Sequence, residues 1–230
     1  MNDKFKLTEE TIELPNRTLH RIEALKDFGC VHKGDKGGFV EKEDNLSTIG
    51  DSWISGYARI SGNAWISGDA RIYGDARIYG DAWVYGNAKV YDSARIYGDA
   101  RVFGDARVYS NALVYDNARV YENARISGDA RVLDNVNVYG NARVYENARI
   151  SGQAEIVFNA RIFGDSWISG NALVTDNAQV FGNARVYGDA WVLENAKVYG
   201  NACISGHAKI LGDVSISSDS EISGDTWICD

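Results

Sequence analysis

The histidines and cysteines are the side chains here with the widest chemistry, and they are few. His20, Cys30 and His32 lie close together near the N-terminus. A thiol between two imidazoles has the composition of a zinc site or of an activated thiolate. A lone cysteine with no fourth ligand at metal spacing selects neither, so these residues read as structural. Cys203 and Cys229 are too scattered for a disulfide framework. His207 stands alone where neighbouring units carry Asp or Asn, and reads as a solvated turn residue. No phosphate-binding, dinucleotide, nucleophile-elbow or zinc-protease motif occurs. We therefore expect no catalysis, no cofactor and no metal.

The remaining chemistry is periodic. Arg71, Lys89, Arg107, Arg125, Arg143 and Arg161 recur at intervals of 18, each two residues before position 73, 91, 109 and so on, where Tyr73, Tyr91 and Tyr109 stand. Such a stripe could bind an anion, with guanidiniums pairing phosphates and tyrosines stacking on bases. The chain, however, carries 32 acidic against 24 basic side chains, a net charge of −8. An acidic balance argues against nucleic acid. The preferred reading is a structural ladder in which tyrosines pack on one another and Arg stems cover the backbone, with corner carboxylates such as Asp75, Asp129 and Asp165 compensating the charge.

The elements that position these stripes follow from one period. All 30 positions divisible by six from Ile54 to Ile228 are Ile or Val. Two residues earlier, 24 of 30 are Ala, which makes the pair a same-side set on a short strand. Three residues after the aliphatic, 26 of 30 are Asp or Asn, mostly preceded by Gly, and these supply a corner. A strict period of six does not follow 3.6 residues per turn, so a helix is excluded. A strand plus a corner, repeated without insertion, coils into a solenoid.

The unit Ile72-Tyr73-Gly74-Asp75-Ala76-Arg77 resembles the hexapeptide repeat of left-handed parallel β-helix proteins. The resemblance implies an all-β, left-handed parallel β-helix solenoid of about ten 18-residue coils, three hexapeptides to a coil. Many proteins of that kind are acyltransferases, and some are zinc enzymes whose sites use histidines between subunits and loops that leave the coil. This chain has no loop insertion in its 30 repeats and only His207 within the solenoid, so an acyltransferase-like activity is the least favoured alternative. The leader, LHRIEALKDFG followed by GDKGGFVEKEDNLS, is similar to that of hexapeptide-repeat proteins of bacteria, prophages and phages, and implies no established activity.

The N-terminal segment departs from the repeat. It contains strand-like runs at 4–7 and 18–25 around a turn at Pro15-Asn16, then Gly34, Gly37 and Gly38 as a loop before Phe39-Val40. We divide the chain into an N-terminal β cap, 1–45, and the repeat region, 46–230. The cap would cover the first coil, and the last coil is expected to be bare or protected only by its polar residues. No apolar run reaches transmembrane length and the charged start lacks a signal-like core, so a cytoplasmic location with no membrane contact is expected.

Eighteen residues per coil place the stripes on three faces. The first carries the basic and tyrosine stripe named above. The second carries Arg59, Arg77, Arg95, Arg131, Arg149 and Arg185. The third is the most apolar, with Trp65, Trp83, Trp191 and Trp227 alongside Tyr85, Phe103, Tyr121, Tyr139 and Leu193. Contiguous Trp and Tyr surface marks an interface. The expected function is a rigid, non-enzymatic scaffold or binding protein that forms a homo-oligomer through the third face. The alternative is a phage or prophage factor that binds and inhibits a host protein or sequesters a small ligand.

Overall fold

The computed structural model describes residues 2–230. Three strands open the chain: β1 (Phe5–Leu14), β2 (Arg17–Ala24) and β3 (Lys36–Val40). From Trp53 onward every strand is two residues long and recurs every six, as in Arg71–Ile72, Arg77–Ile78 and Trp83–Val84. Each pairs in parallel with the strand 18 residues on: Ile72 lies beside Val90, and Val90 beside Val108. Three sheets result, of 10, 13 and 10 strands, one for each face. The chain is thus an all-β parallel solenoid of about 11 coils, one more than the ten the repeats give, because Phe39–Val40 and Leu46 also stack in parallel.

The core follows from alternation. Through most of the solenoid the Ala and Ile/Val slots are fully buried, for example Ala70, Ile72, Ala76 and Ile78. At the C-terminal coil Val214, Ile216, Ile222 and Ile228 are only partly covered. Backbone amides donate along the axis at both strand and corner, as from Arg71 to the Ala88 carbonyl (2.9 Å) and from Asp75 to that of Asp92 (2.8 Å). The corner residue after each aromatic slot adopts a left-handed backbone, with φ of 72° at Gly74 and 56° at Asp92.

Acids occupy that strained slot for a reason the sequence reading missed. The Glu122 carboxylate accepts the Gly140 amide of the next coil (2.9 Å), Asp134 accepts that of Gly152 (2.8 Å) and Glu146 that of Gly164 (2.9 Å). A hydrogen bond between coils offsets a backbone cost of about 1–2 kcal/mol. Phe158 is the exception: it has φ +52°, no acceptor to offer, and is 57% exposed.

The N-terminal segment covers the first coil. β1 and β2 form an antiparallel hairpin, β2 pairs antiparallel with β3, and β3 runs parallel to Arg59–Ile60, so the hairpin extends the second-face sheet. Parallel stacking begins at Phe39–Val40, beside Arg59–Ile60, and at Leu46, beside Ile66, with a short 3-10 turn at Glu43–Asn45 between them. Gly37 and Gly38, expected in a loop, lie buried inside β3. A β-carbon at Gly37 would fall 2.4 Å from the Ile22 side chain, and one at Gly38 2.5 Å from that of Ile54, so close packing against the hairpin and first coil demands glycine there. Phe5, Ile22, Val31 and Leu46 join the solenoid core at this end. Lys4 is 1% exposed; its ammonium donates to the Ser47 carbonyl (3.0 Å) and Ser52 Oγ (3.3 Å) and lies 4.8 Å from the centre of the Phe28 ring. Burial lowers its pKa to about 8.

Candidate interaction surfaces

On the first face the basic ladder is in strict register: Arg71 beside Lys89, Lys89 beside Arg107, and on through Arg125, Arg143 and Arg161. Beside it Tyr73, Tyr91 and Tyr109 stack with ring centroids 4.8 and 4.9 Å apart and planes within 4°. Burial in the stack raises the hydroxyl pKa values of Tyr73 and Tyr91. The tyrosine ladder therefore exists as expected, while the corner carboxylates stand near the basic stripe without close ion pairs. Among the described residues, no Arg or Lys of the solenoid has a carboxylate within 4.0 Å; the ion pairs are confined to the N-terminal segment and His207.

The corner acids have another task. Asn111 donates its side-chain amide to Asp129 (3.0 Å), and Asn147 to Asp165 (2.9 Å). Similar amide ladders run through Asn141, Asn159, Asn177 and Asn195 to Asp213. These bonds repeat at 18 residues because the corners stack, and they commit the carboxylates along the axis and away from the guanidiniums. The first face has a groove of about 590 Å³ in which Arg71, Lys89 and Arg107 alternate with Asp69, Asn87 and Asp105 beside Tyr73, with Cys30 reaching it from the N-terminal loop, so its cations face carboxylates across the groove without close ion pairs.

The third face carries two kinds of aromatic. Tyr85, Phe103, Tyr121 and Tyr139 form one stack with centroids 4.7–4.9 Å apart and are half-buried by each other. Burial there, with Tyr139, Glu122 and Glu155 nearby, pushes the Tyr121 hydroxyl up to about 12. The tryptophans stand free of that stack. Trp83 is 42% and Trp227 64% exposed, and Trp65 meets Trp83 edge-on at 5.5 Å. Leu193 lies half-buried beside Trp191. Arg101 sits over the Trp83 ring (5.2 Å), and Lys209 between Trp191 (4.0 Å) and Trp227 (4.5 Å). One tryptophan departs from the outward pattern: Trp53, also in the outward slot, is covered by the N-terminal segment and packs edge-on against Phe28 at 5.4 Å.

Four stretches of the chain are similar to the YdcK beta solenoid repeat: residues 70–86, 94–110, 138–153 and 178–194. Each is close to one coil in length, and together they span under a third of the chain. They support a repeat β-solenoid, the architecture of the three stacked sheets. No curated protein matches the chain.

The histidines do not converge. His20 Nδ1 lies 3.3 Å from the Thr8 carbonyl, His32 is exposed with Nδ1 4.0 Å from Asp27, and His207 Nδ1 is 3.5 Å from Asp189. Among the described residues no three His, Cys, Asp or Glu side chains are grouped as a metal would need. No helix among them is long and apolar enough to cross a membrane. Phe158, at the corner where the third face ends, is a surface residue that period-six reading passed over; its signal is an aromatic in a slot otherwise held by Gly, Asp, Glu or Ser.

Proposed function

We propose that this protein is a rigid, non-enzymatic β-solenoid that binds a second copy of itself through the third face. The observation that carries this reading is the line of exposed tryptophans, Trp65, Trp83, Trp191 and Trp227, on one sheet. Ten strands at ~4.8 Å spacing and five residues of width give a face of about 48 by 16 Å. That is about 770 Å², close to the ~800 Å² per partner of a stable interface. Stacked coils lose little conformational freedom on association, which favours binding by such a surface.

Charge favours one orientation of the two copies. Along the axis the outward residue of each strand reads Trp65, Trp83, Arg101, Arg119, Asn137, Glu155, Leu173, Trp191, Lys209 and Trp227. Parallel copies would oppose Arg101, Arg119 and Glu155 to themselves. Antiparallel copies oppose Trp83 to Lys209, Arg101 to Trp191 and Asn137 to Glu155, pairing rings with cations and leaving no like charges face to face. Sedimentation equilibrium of the wild type and of Trp83→Ala/Trp191→Ala tests the reading. We expect a dimer that the double variant weakens at least tenfold, since each truncation removes an anchor of more than ~1.4 kcal/mol. Association unchanged by the double variant would remove the third face from consideration.

A further inference from the structure

We propose that the second face carries a separate binding site, centred on Trp167, for an acidic oligosaccharide. Tyr79, Tyr97 and Tyr115 stack there with centroids 4.9 and 4.8 Å apart, and then the column stops, since the next three residues at 18-residue spacing are Leu133, Ser151 and Ser169. Where the rings end, the surface drops into an open trench of about 750 Å³ that runs along the solenoid axis from Tyr115 to Arg185. Trp167 stands in it 47% exposed, its indole Nε1 donating to Ser151 Oγ at 3.4 Å.

The residues around that indole are cationic and unpaired. Arg149 and Arg185 occupy the strands on either side of Trp167, and Arg131 the strand beyond Arg149. Among the described residues none of the three has a carboxylate within 4.0 Å; the rim carboxylates Asp129 and Asp165 accept from asparagines instead. Six arginines without a close carboxylate recur in this strand slot along the face, and Trp167 is the one aromatic that takes an arginine's place in it.

An exposed indole offers its plane to the C–H face of a pyranose ring. Guanidiniums take carboxylate or sulfate in a two-pronged geometry, while the serine, asparagine and aspartate groups exchange hydrogen bonds with sugar hydroxyls. Arg149 and Arg185 stand two coils, or about 10 Å, apart, so a chain with one ring on Trp167 brings acidic groups on the flanking rings to each guanidinium. The trench is open at its length, which suits a chain better than an enclosed small molecule. Single-stranded nucleic acid fits less well: it would need a series of free stacking rings along the trench, where one indole is present.

The site is on a different sheet from the proposed dimer interface, so its test stands apart from that reading. Calorimetric titration would use hexasaccharides bearing carboxylates, sulfates or phosphates, with oligogalacturonate as the first probe, a neutral galactose hexamer as control and an oligothymidylate as the competing class. At least one acidic hexamer is expected to bind and the neutral one not. Trp167→Ala should weaken binding about tenfold and Arg149→Ala/Arg185→Ala about a hundredfold, given ~1.4 kcal/mol or more per charge-assisted contact. Arg107→Ala on the first face should leave binding unchanged, and circular dichroism should show all variants folded. Failure of every acidic hexamer, equal binding of the neutral one, indifference to Trp167→Ala, or binding of the oligothymidylate alone would each overturn the proposal.

Discussion

Phe158 sits at φ +52° in a corner slot where every other occupant is Gly, Asp, Glu or Ser, and it lies on the edge of the third face. Its replacement by glycine separates fold from assembly. A side chain held in the left-handed region costs about 1–2 kcal/mol, of which glycine returns some 0.5–1 kcal/mol through its greater freedom in the unfolded chain. The folded coil should gain about 0.5–1 kcal/mol. Association should move the other way. Complete burial of a Phe side chain is worth about 2 kcal/mol, and 57% of this one is exposed. A residue at the rim buries about half of that exposed part, about 0.6 kcal/mol per copy, and a two-fold interface counts it twice. The dimer dissociation constant should rise about eightfold. Sedimentation equilibrium reads the second effect. Hydrogen exchange of the amides at Asn159 and Arg161 reads the first, because a repeat protein need not melt in one step. Reduced protection in Phe158→Gly would refute the strain argument, and an unchanged dissociation constant would remove Phe158 from the interface.

Other perturbations address other parts of the molecule. The Ser166 hydroxyl is buried in an Ala slot with no hydrogen-bond partner, so Ser166→Ala should raise local stability by about 1–2 kcal/mol in denaturant titration; destabilisation would show that the hydroxyl is satisfied. Gly140→Ala would bring a β-carbon within 2.7 Å of the Phe158 backbone, whereas at Gly224 nothing lies within 4 Å. Both pay the left-handed cost, but Gly140→Ala should lose at least ~1 kcal/mol more, and equal losses would deny close stacking of the corners. Lys4 has a pKa of about 8 when folded and 10.5 when not. Between those values the unfolded chain holds a proton that the folded one lacks, so raising the pH through this window should stabilise the N-terminal segment, and below about 8 the full cost of burying the charge remains. Proteolytic resistance of the hairpin should follow that trend in the wild type and lose it in Lys4→Met; a flat wild-type profile would refute it.

The solenoid was legible because its core is written with period six: each Ile72-like residue must face inward when its neighbours two apart are Ala. The faces were legible once three hexapeptides were assigned to a coil. Relations between coils were not. That Glu122 caps the Gly140 amide, or that Asn111 holds Asp129 away from the arginines, appears only when residues 18 apart are read as neighbours in space. Gly37 and Gly38 looked like loop residues because the side chains that exclude a β-carbon, Ile22 and Ile54, come from the hairpin and the first coil. The trench beside Trp167 was hidden for a different reason: its mark is the absence of a tyrosine at Ser151 and Ser169, and single-unit reading registers presence more readily than loss.

The central proposal is self-association through the tryptophan face, and the mass in solution tests it most directly. Light scattering after size exclusion, across a wide concentration range, should give a mass converging on twice the 25.3 kDa of one chain. A mass of 25.3 kDa at every concentration would contradict it.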